Sequence, residues 1–525
     1  MYIFLLTLFG FIIRLNQIIK PEGLWNDEYV SWHIASLPLG ADFWSAVKTQ
    51  CHMPLYYIYL KFMMLIGGSG DVFLRLTSVI PAVIAIPVMY FAGKEIDKEN
   101  KNVARISALI TAVSSFLIYY SQEIRLYSLL FMFSAFAWLY AIKTINNLSK
   151  KNVAGFIIFN LLILLTHTIG FVFVFFNVVY LFSKLWGQKQ LSVKKICLIT
   201  SVIGLPLLIS LPLILNIFSM TGLAQWWGKF AVRNIGFLMT DYFSPVLTNL
   251  VNAPNAFFYK HDLVFILYMI IPAVAALIAL IKGAQKHKGM FLTALGGVFV
   301  LSMASILGKL VFITKYSIEI YPILILLVAV GFNSFSKYHL GKFLFILWML
   351  PNLLFIPNEK YATKINRAEG HKIVADLLND AEIKPNDTVV LTYYNSDRFD
   401  KYIDMSKYNV FSINKANIRR YYNLPEDKLY PDEDNFTALE NNLNKRVVKN
   451  YKNNVYIVFL DSLEIFTPQQ IGKILNTEEL IEKVPSNYLL FSGVKNALIK
   501  TGSKKYKYRS FMKKGSWTVL MLKNR

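Results

Sequence analysis

The chain has 525 residues, of which 55% are hydrophobic and only 17% charged, and its apolar residues run in long blocks rather than amphipathic stripes. That pattern excludes a soluble globular protein and leaves a polytopic membrane protein. The formal net charge is +23, but Lys and Arg gather between the apolar blocks and in the C-terminal third without any nucleic-acid recognition module. Cationic loops against anionic lipid headgroups account for the charge, and no nucleic-acid partner is expected.

In chain order, Tyr2–Ile19 reads as a first span. It has no basic leader and no small-residue cleavage site, so it is expected to be retained rather than removed as a signal peptide. Arg14, Asn16 and Gln17 interrupt it, which predicts that its outer end packs against protein. Residues 20–73 form a polar loop holding Leu24-Trp25-Asn26-Asp27-Glu28-Tyr29 and, further on, Cys51-His52-Met53-Pro54-Leu55-Tyr56-Tyr57. The apolar stretch 54–66 is short for a span and reads as an interfacial helix. Gly67-Gly68-Ser69-Gly70 lacks the strand and helix of a dinucleotide fingerprint and reads as a linker. Spans follow at 74–93, 103–121, 124–142, 153–170, 171–186, 196–218, 263–281, 290–308, 316–334 and 342–357, about eleven with the first. A second long loop covers 219–262. Cys51 and Cys197 are not expected to pair, and no zinc-ligand spacing occurs.

The loops alternate in charge. Short basic ones (94–105, 143–151, 184–195, 282–288, 337–342) are cytoplasmic by the positive-inside rule. The others, 20–73, 121–125, 166–168, 219–262 and 308–315, then face outward together with everything after Pro357. That divides the chain into a membrane domain, 1–357, and a non-cytoplasmic domain, 358–525. In the latter, strand-like runs at Thr388–Tyr394, Val455–Leu460 and Trp517–Leu522 alternate with helix-like stretches at 367–380 and 468–484, predicting a soluble α/β domain. Asp432-Glu433-Asp434 reads as a solvated turn, and Lys504, Lys505, Lys507 and Arg509 as a solvated face. Trp25, Trp32, Trp44, Trp226 and Trp227 read as an interfacial aromatic belt.

The outward turns hold Asp27, Glu28, His52, Glu123, Arg125, His167 and Lys315. Each is unremarkable alone, but topology places all of them at one face of the membrane, and two adjacent carboxylates at a bilayer rim are costly without a purpose. A carboxylate in a desolvated cleft can serve as general base on a hydroxyl. Arginine and lysine can hold a phosphate and stabilise charge developing on it. Histidines there can bind phosphate, shuttle a proton, or join a carboxylate in holding a divalent metal. Such a set suits group transfer from a phospholipid-type donor.

These residues also carry a resemblance. Trp25-x-Asp27-Glu28, His52-x-Pro54-Leu55-Tyr56-Tyr57, Arg75-Leu76-x-Ser78, Ser121-Gln122-Glu123-x-Arg125-x-Tyr127-Ser128, Thr166-His167 and Lys315-Tyr316, with Pro322 in the following span, resemble the GT-C superfamily of membrane glycosyltransferases. The likeness is to the protein O-mannosyltransferase and aminoarabinose-transferase-like branch (glycosyltransferase family 39-like), over roughly 5–335. The resemblance implies an α-helical polytopic fold with catalytic Asp27 activating the acceptor hydroxyl and Glu28 positioning a substrate. It puts Arg125, Lys315 and Tyr316 at the donor phosphate. His52, His167, Glu123 and Tyr56 are further site candidates, and Asp27, Glu28 and His52 are the residues that would hold a divalent metal if one is used. Met53 stands where the family has a second proline. The C-terminal domain matches no motif.

The function expected is transfer of a monosaccharide, with inversion, from a polyprenyl-phosphate donor to a lipid, glycan or protein hydroxyl on the non-cytoplasmic face. A bacterial inner membrane is the expected location. The alternatives are a polytopic transporter or lipid flippase, and a GT-C-like oligosaccharide polymerase or ligase.

Overall fold

In a computed structural model of the chain, described for residues 1–16, 18–19, 23–50, 52–189, 233–245, 263–307, 312, 314–336, 338–354, 371–380, 382–391, 399–412, 454–460, 506–514 and 517–524 with isolated positions between 200 and 211, the residues cluster into two units. The first comprises Met1–Ile19 and Asn26–Arg367, the second Lys20–Trp25 and Ala368–Arg525.

The first unit is helical. Its elements are α1 (Tyr2–Leu15), α2 (Asn26–Ser36), α3 (Ala41–Thr49), α4 (Leu55–Gly67), α5 (Asp71–Ile96), α6 (Asn102–Val113), α7 (Ser115–Ser121), α8 (Tyr127–Asn146), α9 (Lys150–Thr166) and α10 (Gly170–Gly187). They continue with α11 (Arg233–Phe243), α12 (Leu263–Lys286), α13 (Lys288–Ile306), α14 (Tyr321–Phe335) and α15 (His339–Leu354). A 3-10 turn, Thr314–Ile320, leads into α14. Among the described residues six helical segments are long and apolar enough to cross a membrane, seven if the bent pair α6–α7 is one span. The chain is therefore an integral membrane protein. The segment expected at 196–218 lies outside the described residues but for isolated positions, as do Cys51 and Cys197.

Two stretches expected as loops are folded. α4 lies where a short helix is expected at 54–66, whereas residues 20–53 contain α2 and α3 and residues 219–262 contain α11. Both carry enough polar residues to escape a hydropathy reading, yet each helix buries apolar side chains: Tyr29 and Ile34 on α2, Phe43 and Val47 on α3, Leu238 and Tyr242 on α11.

The α6–α7 pair bends by 52° at Ser114. Ser114 Oγ accepts from Leu117 N at 3.3 Å and caps α7. The carbonyls released at the end of α6 are met by Arg14, whose Nη1 donates to Ala112 O and Nη2 to Thr111 O, both at 2.9 Å. Arg14 is fully buried, in keeping with the expectation that the outer end of the first span faces protein. Elsewhere small residues set the spacing: a Cβ on Gly283 of α12 would sit 1.9 Å from Leu327 O of α14, and one on Gly331 of α14 would sit 1.8 Å from Ala279 O. Those two helices touch backbone to backbone.

The second unit is a five-stranded sheet with one described helix, α16 (His371–Asp380). Its strands are β1 (Thr388–Leu391), β2 (Asn409–Ser412), β3 (Val455–Leu460), β4 (Tyr506–Lys514) and β5 (Trp517–Asn524), in the order β2-β1-β3-β5-β4. β1 is parallel to β2 and β3, whereas β5 is antiparallel to β3 and to β4. Ile373, Val374, Leu377 and Leu378 of α16 pack with Val389, Phe399, Ile403 and Tyr456. Gly23 has a φ of +84°, and a Cβ there would lie 2.6 Å from Tyr402 Oη, which accepts from Leu24 N at 2.7 Å. A glycine is needed at that turn. β4 spans Lys507 and Arg509 and stands at the edge of the sheet. The helix expected at 468–484 and the turn at 432–434 lie outside the described residues.

Candidate active site

Helix α2 opens with Asn26-Asp27-Glu28, so both carboxylates sit in the first turn, where exposed backbone N–H groups favour negative charge. Successive residues on a helix diverge by about 100°, and the two side chains part company. Glu28 is fully buried against Arg75 of α5, with Arg75 Nε donating to Oε1 at 3.0 Å and Nη2 to Oε2 at 2.8 Å. Ile124 N also donates to Oε1, at 3.2 Å, and Arg75 Nη1 reaches Ile18 O at 3.3 Å. Glu28 thus ties α2, α5 and the turn after α7 together. Asp27 faces the other way and keeps 22% of its side chain exposed.

Arg125 stands on the turn between α7 and α8. Its Nη2 lies 3.7 Å from Asp27 Oδ2 and 3.1 Å from His52 Nε2, while Nη1 donates to Asp27 O at 3.3 Å and to Ser31 Oγ at 3.2 Å. Ser31 Oγ in turn donates to Asp27 O at 2.8 Å. Burial alone would depress the Arg125 guanidinium, but the Asp27 carboxylate and the surrounding phenols outweigh it and raise its pKa above the usual range. The turn is anchored by Gln122 Nε2, which donates to Arg14 O at 3.2 Å, and by Ser78 Oγ, which donates to Arg125 O at 3.4 Å. Glu123 is buried beside it, and its carbonyl accepts from Arg125 N at 2.8 Å.

His52, ahead of α4, and His167, at the end of α9, stand with ring centroids 5.8 Å apart. His167 Nδ1 lies 2.8 Å from Glu319 Oε1, and both side chains are buried. Lys315, on the 3-10 turn that carries Glu319, places its ammonium 5.7 Å from the Tyr127 ring centroid and 5.3 Å from that of Tyr316. Tyr316 is 6.3 Å from His167. Tyr56 is buried in the first turn of α4.

Contacts therefore link Asp27, Arg125 and His52, then His167, Lys315 and Tyr316; Glu28 is directed to Arg75 instead. The sequence reading gave no role to Arg75, Ser31, Tyr127 or Glu319. Glu319 carried a signal, being a carboxylate inside the apolar run 316–334; Ser31 carried none. As a ligand set for a divalent ion, Asp27, Glu28 and His52 fit poorly. Glu28 has both oxygens on Arg75, His52 Nε2 faces Arg125, and among the described residues no group of three or more His, Cys, Asp or Glu could hold a metal. What the arrangement offers is a partly exposed carboxylate against the buried Arg125 guanidinium, with a second buried cation, Lys315, over the Tyr127 and Tyr316 rings.

No family model matches the chain, and no curated protein matches it. Solved structures do. The oligosaccharyltransferase of Archaeoglobus fulgidus in the apo form superposes with a TM-score of 0.50 at 12% identity, covering 87% of this chain and 69% of that one. ArnT from Cupriavidus metallidurans bound to undecaprenyl phosphate gives 0.48 at 12% identity, covering 99% and 97%. The Pmt1–Pmt2 protein O-mannosyltransferase complex of S. cerevisiae bound to the sugar donor gives 0.32 at 20%, covering 42% and 33%. These neighbours are GT-C glycosyltransferases, and the first superposition gives this chain the same fold.

Proposed function

We propose that this protein is a membrane glycosyltransferase that moves a sugar from a polyprenyl-phosphate donor to an acceptor hydroxyl, with Asp27 as general base. The observation that carries the reading is the pairing of Asp27 with Arg125 at 3.7 Å while 22% of its side chain stays exposed. The guanidinium lies against the carboxylate, and the exposure lets an acceptor approach it. The acceptor proton passes to the Asp27 carboxylate as the acceptor oxygen attacks the anomeric carbon. The bond from that carbon to the phosphate oxygen breaks, and polyprenyl phosphate leaves with the electron pair. A single displacement inverts the anomeric centre. Arg125 and Lys315 face the charge that grows on the departing phosphate, with Tyr316 beside Lys315. Glu28 acts by holding α2 in place through Arg75.

The membrane topology belongs to the same proposal. α6–α7 taken as one span, the shorter helices α1, α9 and α15, and the apolar run of the sequence at 196–218, counted as a span on its hydropathy alone, bring the total to about eleven. The site and a soluble C-terminal domain, 358–525, then lie on the non-cytoplasmic side, in a bacterial inner membrane. The acceptor is a lipid, glycan or protein.

The test is sugar transfer in membranes carrying wild type or Asp27→Asn, with a panel of polyprenyl-phosphate monosaccharides and one oligosaccharyl diphosphate. Asp27→Asn should lose about 100- to 10,000-fold in transfer while expressing and melting as wild type does. Near-wild-type turnover would remove Asp27 from the base role. Transfer from the diphosphate donor alone would identify an oligosaccharide polymerase or ligase instead.

A further inference from the structure

The polarity of His52 is fixed by its neighbour. Arg125 Nη2 lies 3.1 Å from His52 Nε2. A guanidinium has donors only, so Nε2 must accept, and the ring is neutral with its proton on Nδ1. Burial, then the charges of Arg125, His167 and Lys315, hold the imidazole well below its usual pKa, which keeps it neutral. His52 Nδ1–H is therefore a donor whose presence Arg125 dictates. It is buried and has no hydrogen-bond partner among the described residues.

It is not an isolated orphan. Arg125 Nε and the hydroxyls of Tyr56 and Tyr127 are likewise buried with no hydrogen-bond partner among the described residues. The Lys315 ammonium lies over the Tyr127 ring at 5.7 Å. The nearby Glu319 carboxylate meets His167 through Oε1 at 2.8 Å, and its Oε2 is buried with no hydrogen-bond partner among the described residues. Buried N–H and O–H groups gathered around positive charge await an acceptor oxygen supplied from outside, since leaving them unmet is costly. An oxyanion meets that need; a cation does not.

We propose that His52 is a ligand of the lipid-linked phosphate, its Nδ1–H, held in that tautomer by Arg125, donating to a non-bridging phosphate oxygen. The proposal rests on the polyprenyl-phosphate reading above and gives His52 a role distinct from acid or base. It donates a hydrogen bond as a neutral group and keeps its proton throughout, so it stays in position as the phosphate gains charge on leaving. His52 is in this sense a binding residue that Arg125 positions, and Arg125 acts on the phosphate partly through it.

Two amide substitutions separate the two nitrogens. In His52→Gln the side-chain amide reaches the place of Nε2 and can still accept from Arg125, but nothing donates at Nδ1. In His52→Asn the amide nitrogen lies near the place of Nδ1 and can still donate, while Arg125 loses its acceptor. The full chain in detergent is titrated with undecaprenyl phosphate and followed by tryptophan fluorescence, with inorganic phosphate and undecaprenol as controls and thermal melting in parallel. The expected result is that His52→Gln melts as wild type does and binds undecaprenyl phosphate about tenfold more weakly, about 1.4 kcal/mol. His52→Asn should melt lower and bind within about threefold of wild type. Wild-type affinity in His52→Gln, or equal losses in the two variants, would overturn the assignment of His52 and leave the transferase reading standing. A wild type that binds no undecaprenyl phosphate would overturn both. Inorganic phosphate binding as tightly as the lipid would overturn the lipid source.

Discussion

The buried pair of Glu28 and Arg75 gives the sharpest stability test. Both side chains are fully buried and joined at 3.0 and 2.8 Å. Arg75→Met removes two charge-assisted hydrogen bonds and strands a carboxylate in a dry interior, with Ile124 N still donating at 3.2 Å. Breaking one half of such a pair costs about 3–5 kcal/mol. Glu28→Leu should cost about the same, because it strands the guanidinium instead. In the double variant the charges of the pair are gone; what remains is an Ile124 N–H without its carboxylate and an Ile18 carbonyl without Arg75, of which the buried N–H dominates the cost, about 1–3 kcal/mol. The singles together thus lose at least about 6 kcal/mol and the double at most about 3, a coupling of about 3 kcal/mol or more. Equilibrium unfolding of the four proteins in mixed micelles measures it. Additive losses would refute the pairing argument. The double variant also removes the pair that sets the rotation of α2, so transfer should fall even where the fold is retained. A double variant as active as wild type would show that the pair does not position Asp27.

Three other outcomes follow from the same geometry. His52 is depressed well below 6.5 by burial and then by Arg125, His167 and Lys315, so the unfolded chain binds the extra proton first. Its contribution to stability is complete above about pH 6.5 and is lost as pH falls further. The melting temperature of wild type should therefore drop on acidification, and that of His52→Gln should drop less; parallel curves would contradict it. Arg125→Lys cannot serve Asp27, Ser31 and His52 at once with one ammonium, and transfer should fall roughly 100-fold; turnover at half the wild-type value or better would show that the fork is dispensable. Gly331→Ala places a Cβ 1.8 Å from Ala279 O, where only backbone can yield. It should destabilise by about 1–3 kcal/mol, read by unfolding in micelles, and an unchanged midpoint would mean that α12 and α14 separate freely.

Much of the architecture was legible because its causes are local. Long apolar runs dictate membrane helices wherever they occur, and the short continuous runs rich in β-branched and aromatic residues at Thr388–Leu391, Val455–Leu460 and Trp517–Asn524 favour strands. α2, α3 and α11 escaped because they are short and mixed in polarity, and tertiary burial of a few side chains stabilises them. β2 is four residues long and depends on its parallel pairing with β1, a partner that its own sequence does not name.

The site divides along the same line. Residue type and order alone gathered Asp27, His52, Arg125, His167 and Lys315, since charge is costly at a membrane rim without a partner or a task. Residue type alone could not tell Asp27 from its neighbour, and only the family resemblance singled it out, because which of two adjacent carboxylates meets solvent depends on the rotation of α2 about its axis. That rotation is set by Arg75, 47 residues away, which takes Glu28 into the interior. Likewise the tautomer of His52 is imposed by a guanidinium 73 positions later, and the partner of His167 lies 152 positions on, across several helices. The sequence by itself determined which chemical groups are present and that they lie in a membrane protein. Only the tertiary structure decided which of them pair with each other and which are buried with no partner among the described residues, because hydrogen bonds and ion pairs are satisfied by proximity in space and carry no trace in the spacing along the chain.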